Sequence, residues 1–430
     1  MPRIYSVVLK KYKTICLMLW LLIGDTACSN KAKVETLQPL SQAYQTGENL
    51  RLLTDSIIDL SVIGQNQCLK LKIPELNIKS VPDTIFSSYT YIPLETTEKC
   101  MVGQIEKIIL CQDCFCILDR QNANAFLFEL DGRFRCKLGE RGHGPGEHLD
   151  AWNVAYDENK EQIVLLDLSG RKLLHYDLNG KLQSMESMYY LYTGIEYLDD
   201  YIVCNTGLSH NYYSSAIDLH GIIIANRNHL PMARGFGYSE RRRNEFSYSP
   251  ILKKNDGVIF YDDLLSDTIW SISDLAVKPF IAIDYGGRVR FSRNEKEHIT
   301  DRLYSERNMK IPFVYDWYVS SKYIYLKVSA PFRDDKNHAM SIIYSRQNDH
   351  YKIFGYNIRQ RCLGDYMIDI PARGFADSKS LILIAEPLQL IKCAGDKKKG
   401  IILSSEERKM IDGLSVDDNP VLIVGKLIDF

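Results

Sequence analysis

FCILDRQNANAFLFELDGRF, residues 115–134, and IVLLDLSGRKLLHYDLNGKL, residues 163–182, are two copies of one pattern set 48 positions apart without a gap. Leu118 falls on Leu166, Asp119 on Asp167, Phe128 on Tyr176, Leu130 on Leu178 and Gly132 on Gly180. A period of this size marks a repeat architecture, in which one supersecondary unit is stacked on the next. Within each copy Phe126, Phe128 and Leu130, or Leu174, Tyr176 and Leu178, recur at every second residue. That spacing puts them on one face of a strand and predicts a sheet with a buried face. Asp131-Gly132 and Asn179-Gly180 follow, and such dipeptides favour the positive φ values of a two-residue type I′ hairpin.

Weaker copies continue outward from this pair: IDLHGIIIA around Asp218 and Gly221, VIFYDDLLSDTIWSIS from Val258, YIYLKV from Tyr323 with SIIYS from Ser341, and LILIAEPLQLI from Leu381. A further strand is expected near Leu69 to Ile73. Only Glu295 to Arg307 and Ser404 to Ile411 read as short helices, so the fold class is all-β. A unit of about 48 residues suits a four-stranded propeller blade, whose sheets pack radially and leave short edges. The roughly 345 residues after Pro82 divided by the period give about seven units, and the longer gaps of the second half favour six with insertions. A β-sandwich is the remaining alternative. The last apolar run, Val421 to Ile428, is expected to pair with an N-terminal strand and close the ring.

The composition is that of a packed domain, with 45% hydrophobic residues, 25% charged residues, 27 Tyr and 15 Phe. Lys plus Arg number 53 against 54 for Asp plus Glu, and this balance argues against a nucleic-acid partner. Lys10, Lys11 and Lys13 precede an apolar run from Ile15 to Gly24 that is too short to span a bilayer as a helix, and small residues then lead to Cys28. This reads as a lipoprotein-type signal over residues 1–28, with a lipid on Cys28 anchoring the chain to a membrane, although Asp25 stands where such motifs carry Leu. Ordinary cleavage after Ser29 would instead release a soluble periplasmic protein. Residues 29–65 read as a polar spacer and residues 66–430 as the propeller. Cys111, Cys114 and Cys116 lack a second C-x-x-C or H-x-x-H partner and are expected to be strand residues rather than a zinc or redox site.

Four segments carry a family likeness: YIPLETTEKCMVGQIEKI from Tyr91, KLGERGHGPGEH from Lys137, SDTIWSI from Ser266 and DDNPVLIVGKL from Asp417. Through them the chain resembles the six-bladed β-propeller lipoproteins of gut-dwelling Gram-negative bacteria, related to NHL-repeat propellers. The resemblance implies six blades and an extracytoplasmic address, with the outer membrane as the expected anchor point. It brings no catalytic residues.

The loop from Gly139 to Glu147 has the glycines of a phosphate cradle but no Lys-Ser/Thr, and strands rather than a helix flank it. Its glycines suit a tight crossing between the first two blades, and Arg141, His143 and Glu147 become ligand candidates by their display on such a turn. Arg241, Arg242 and Arg243 form a dense basic run, a solvated loop or a site for an acidic sugar or carboxylate. Tyr212 and Tyr213, with Tyr189, Tyr190 and Tyr192, either stack on a sugar or peptide or pack in the core. The nine histidines are scattered, so a structural divalent metal would have to be assembled from different blades; no other cofactor is expected. No G-x-S-x-G elbow is present.

The expectation is therefore an exported, non-catalytic propeller whose loops hold a glycan, peptide or partner protein around a central funnel. A propeller lyase or hydrolase with its site at the axis, and a structural accessory subunit of an outer-membrane assembly, are the alternatives.

Overall fold

The computed structural model describes residues 57–64, 68–72, 85–207, 209, 211, 214–240, 252–262, 267–284, 313–331, 337–354, 358–361, 367–395 and 403–430. Six four-stranded antiparallel sheets stand in a ring, a six-bladed β-propeller. Blade I is built from Lys107–Leu110, Cys114–Asp119, Asn124–Glu129 and Phe134–Lys137. Blade II takes Asn153–Asp157, Gln162–Asp167, Lys172–Asp177 and Leu182–Ser187, and blade III takes Gly194–Tyr197, Tyr201–Asn205, His220–Asn226 and Pro231–Gly237. Leu252–Asn255, Val258–Asp262, Thr268–Ser273 and Ala276–Asp284 make blade IV; Phe313–Val319, Tyr323–Pro331, Asn337–Ser345 and His350–Phe354 make blade V. Blade VI joins Ala372–Phe375, Ser380–Ala385 and Val421–Leu427 from the C-terminal part to Phe86–Pro93 from the N-terminal part.

The repeated apolar runs are explained by burial on both faces of a blade, not on one as the spacing suggested. In blade I, Phe126 and Phe128 pack toward blade VI with Leu422, while Ala125 and Leu127 pack toward blade II with Leu174 and Tyr176. Every residue of Cys114–Asp119 is consequently buried, and only Leu130, at the turn, is exposed among the residues of the alternating series in blade I.

The hairpins between third and fourth strands also differ from the expected type I′ form. The Gly132 N–H donates to the Glu129 carbonyl at 2.9 Å, and the Gly180 N–H to the Asp177 carbonyl at 3.0 Å. Gly132 and Gly180 have φ of +91° and +79°, whereas Asp131 and Asn179 do not have positive φ. Each is a turn with a single left-handed residue followed by a bulge, and the ladder shifts register beyond it.

The repeated aspartates have a structural task. Asp119 accepts from the Gly103 N–H at 2.7 Å and from the Asn122 amide at 2.8 Å; Asp167 accepts from the Leu149 and Gly170 N–H groups at 3.0 and 2.8 Å. Both carboxylates are fully buried, so each ties its own hairpin to the segment entering the blade, at a position where several N–H donors offset the cost of burying charge.

Ring closure rests on the seven-residue pairing of Val421–Leu427 with Phe86–Pro93. Gly425 is required there, because a Cβ would stand 2.8 Å from the Phe86 ring. Just before that strand, Asn419 is buried and clamps both ends of the chain. Its Nδ2 donates to the carbonyls of Glu95 and Cys100 at 2.7 and 2.5 Å, and its Oδ1 accepts from the Val102 N–H at 2.7 Å.

Two short helices, Pro387–Gly395 and Ser405–Asp412, lie between the second and third strands of blade VI. The second has a capping box, with the Ser404 hydroxyl accepting from the Glu407 N–H and the Glu407 carboxylate from the Ser404 N–H. The first stands where LILIAEPLQLI predicts further strand; Pro387 opens it at the position where a missing N–H costs nothing. Glu295 to Arg307 lies outside the described residues. Ile58–Asp59 adds a parallel edge to blade III, and Ser61–Val62 and Leu69–Lys72 add parallel edges to blade IV. The sheet body therefore takes in part of the stretch read as spacer, where strands of two exposed residues leave no periodicity to detect. Cys111, Cys114 and Cys116 are buried, free thiols in the core between blades I and II.

Replacing Asn419 with Ala leaves the Cys100 carbonyl and the Val102 N–H unpaired at the closure and the Glu95 carbonyl with only the weak Cys100 thiol donor. Chemical denaturation is expected to show a loss of at least ~2 kcal/mol.

Candidate ligand-binding site

The first strand of each blade faces the axis, and together they enclose a cavity of about 720 Å³. Each blade contributes a side chain to its wall: Lys107, Asn153, Glu196, Lys253, Tyr318 and Arg373, in blade order from I to VI. Trp152, Phe260 and Phe375 add aromatic surface. The volume and the mixture of apolar walls with a few convergent polar groups are those of a small-ligand site.

The cations in this wall are matched unevenly. The Lys107 ammonium donates to Glu196 at 2.7 Å and to the Val154 carbonyl at 2.7 Å. Lys254 meets Glu158 at 3.1 Å, and Arg120 lies 3.9 Å from Glu106 with its guanidinium 3.5 Å above the Trp152 ring. Lys253 donates to Asp316 and to the Trp317 carbonyl, both at 2.6 Å, and sits 3.5 Å from the centre of the Tyr318 ring. Burial pushes the Lys253 ammonium below the ordinary lysine value against the opposing pull of Asp316, and Arg373 and Lys107 push it the same way. Burial and the Asp316 charge hold the Tyr318 hydroxyl well above its ordinary value.

Arg373 is the exception. Its guanidinium donates to the Ile105 carbonyl at 3.2 Å and to the Ala372 carbonyl at 3.1 Å, and among the described residues it meets no carboxylate. A half-buried guanidinium held by carbonyls alone keeps unused donors and an uncompensated charge at the cavity wall.

The residues singled out from sequence lie elsewhere. Arg141 and His143 are exposed on the loop joining blades I and II, and none of Arg141, His143 and Glu147 lines the cavity. Glu147 serves its own loop, accepting from the Gly144 N–H at 2.7 Å, while Gly139 and Gly146 take the left-handed φ values that the crossing needs. Tyr190 and Tyr192 are core residues between blades II and III, and Tyr189 is exposed. Tyr212, Tyr213, Arg241, Arg242, Arg243 and Cys28 lie outside the described residues. Lys107, Lys253 and Arg373 went unread because they sit on the first strands, which the repeat does not cover and which only the ring brings together.

Fold and cavity define a six-bladed propeller with a charged axial pocket. The chain belongs to the family described as "Domain of unknown function (DUF4934)", whose model matches residues 71–426. It is similar to a Bacteroides fragilis structure called "Putative exported protein", at 16% identity and a TM-score of 0.69, over 84% of this chain and 100% of that one. A member of the duf4221 family from Bacteroides vulgatus matches at 8% identity and a TM-score of 0.49, over 80% of this chain and 98% of that one. No curated protein matches. Among the described residues no helix is long and apolar enough to cross a membrane.

The Lys253–Asp316 pair is nearly buried, with both side chains 13% exposed. Lys253→Met strands the carboxylate and is expected to cost ~3 kcal/mol by urea unfolding. A second change, Asp316→Leu, that returns part of the loss would show that the stranded charge, rather than lost packing, is responsible.

Proposed function

We propose that this protein is an exported propeller, lipid-anchored at Cys28, that binds a carboxylate-bearing glycan in its axial cavity without transforming it. The observation that carries the reading is Arg373, the wall cation without a carboxylate partner among the described residues. A guanidinium offers a two-pronged match to a sugar carboxylate, and the aromatic side chains around it suit the apolar face of a sugar ring. Export is supported by the signal-like N-terminal segment and by the description of the similar Bacteroides fragilis structure as an exported protein.

Thermal melting and calorimetry with uronic-acid oligosaccharides, their neutral counterparts and acidic peptides test the binding. Acidic oligosaccharides are expected to raise the melting temperature, and Arg373→Ala to weaken them at least ~10-fold, the loss of one charge-assisted contact. Equal binding of neutral sugars, or an unaffected Arg373→Ala, would remove the basis of the reading, and preference for peptides would redirect it. Mass spectrometry of the mature protein is expected to find an acylated Cys28 at its N-terminus; a free N-terminus after Ser29 would mean release into the periplasm.

A second reading, cleavage of the same ligand, is favoured by the lowered Lys253 ammonium beside Tyr318. Products appearing on incubation with wild-type protein, and abolished in Lys253→Met, would establish it in place of simple binding.

A further inference from the structure

Far from the axis, the packing between blades II and III departs from that between blades I and II in a coordinated way. At the 48-residue offset, His175 stands where blade I has Leu127, and Glu186 where blade I has Leu138. Both leucines are fully buried in the apolar layer between blades I and II. The third difference lies in the hairpin of the following blade. Asn228 and Leu230 N–H groups bond to the Asn226 side chain as Asn179 and Lys181 bond to Asp177, which puts His229 in the slot of Gly180. That slot requires a left-handed backbone, and His229 adopts it with φ of +61°. A residue with a Cβ is strained there, and the strain falls at the point where the imidazole reaches across to blade II.

The three side chains converge. His229 Nε2 lies 2.7 Å from one oxygen of Glu186, and His175 Nε2 lies 3.5 Å from the other. Candidate donor atoms of all three residues fall within 4.8 Å of one another. Both imidazoles are buried, at 2% and 3% exposure, yet among the described residues both nitrogens of His175 and Nδ1 of His229 lack a hydrogen-bond partner. Unpartnered nitrogens in a layer that is apolar one blade earlier are costly unless something binds them. Asp157, the nearby carboxylate, is committed through both oxygens to Arg227 at 2.8 and 3.0 Å.

The geometry points to a zinc-class divalent metal site formed by His175, Glu186 and His229, bridging blades II and III. Tetrahedral ligands about 2.1 Å from zinc stand about 3.4 Å apart, close to the His175–Glu186 spacing. The His229–Glu186 hydrogen bond would open as the metal takes the place of its proton. Two imidazoles and one carboxylate select zinc over calcium or magnesium, which prefer oxygen ligands. Glu186, with a side chain 35% exposed, leaves the fourth position open to water.

The test uses the purified chain, stripped with EDTA and then exposed to Zn²⁺ or Co²⁺. One equivalent of zinc is expected to remain after gel filtration, to raise the melting temperature, and to be lost again with EDTA. Co²⁺ is expected to give the visible absorption of a four- or five-coordinate nitrogen and oxygen site without thiolate charge-transfer bands. His229→Gly installs the residue of the equivalent slot, so it is expected to fold as well as the metal-free parent while losing the metal response. The combination of His175→Leu, Glu186→Leu and His229→Gly rebuilds the pattern between blades I and II and should likewise fold without binding metal. Absence of stoichiometric zinc in the parent would overturn the site. Zinc retained by these folded variants, or cobalt–thiolate bands placing the metal on cysteine, would overturn it equally.

Discussion

Everything at the axis depends on the ends of the chain meeting. The strand Val421–Leu427 pairs with Phe86–Pro93 more than three hundred residues earlier, and Asn419 fastens the same junction through the carbonyls of Glu95 and Cys100. The four antiparallel strands of each other blade come from one contiguous stretch of chain, so their pairings close short loops. Closure is the step that carries the large entropic cost, and a buried side chain with all its hydrogen-bonding groups engaged is suited to offset it. Without it the six first strands would not face a common space.

The ring divides labour along each blade. Second and third strands are sandwiched between neighbouring sheets, so they must be apolar on both sides, as in Cys114–Asp119 and Gln162–Asp167. First strands have one edge on the cavity and are free to carry Lys107, Glu196, Lys253 and Arg373. Their charges survive there because Lys107, Lys253 and Lys254 each meet a carboxylate, and Arg373, held by carbonyls alone among the described residues, is therefore informative.

The same division explains what could be read from the sequence. The repeat in 115–134 and 163–182 revealed blades because sandwiched strands obey one rule, and Asp119 and Asp167 stood out because both fasten a hairpin to the segment entering the blade. Cavity residues escaped because their spacing follows insertions between blades, and no local period connects Lys107 to Lys253 or Arg373. His175 was partly legible, as a polar residue on an apolar position of the other copy, whereas Glu186 lies beyond the end of the repeat. Their partner His229 was not, because its role depends on a left-handed hairpin slot and on the next blade folding against it. The mistaken hairpin type has the same origin: Asn-Gly and Asp-Gly specify positive φ at glycine but do not fix how many residues the turn takes.

The parallel edges at Ile58–Asp59, Ser61–Val62 and Leu69–Lys72 give the protein a mechanical character. The chain reaches the ring along the rims of blades III and IV before it contributes Phe86–Pro93 to blade VI. Tension applied at the N-terminus would thus be taken up first by these short rim attachments, each of which can let go without opening a blade. Under such a load they would part before the pairing of Val421–Leu427 with Phe86–Pro93.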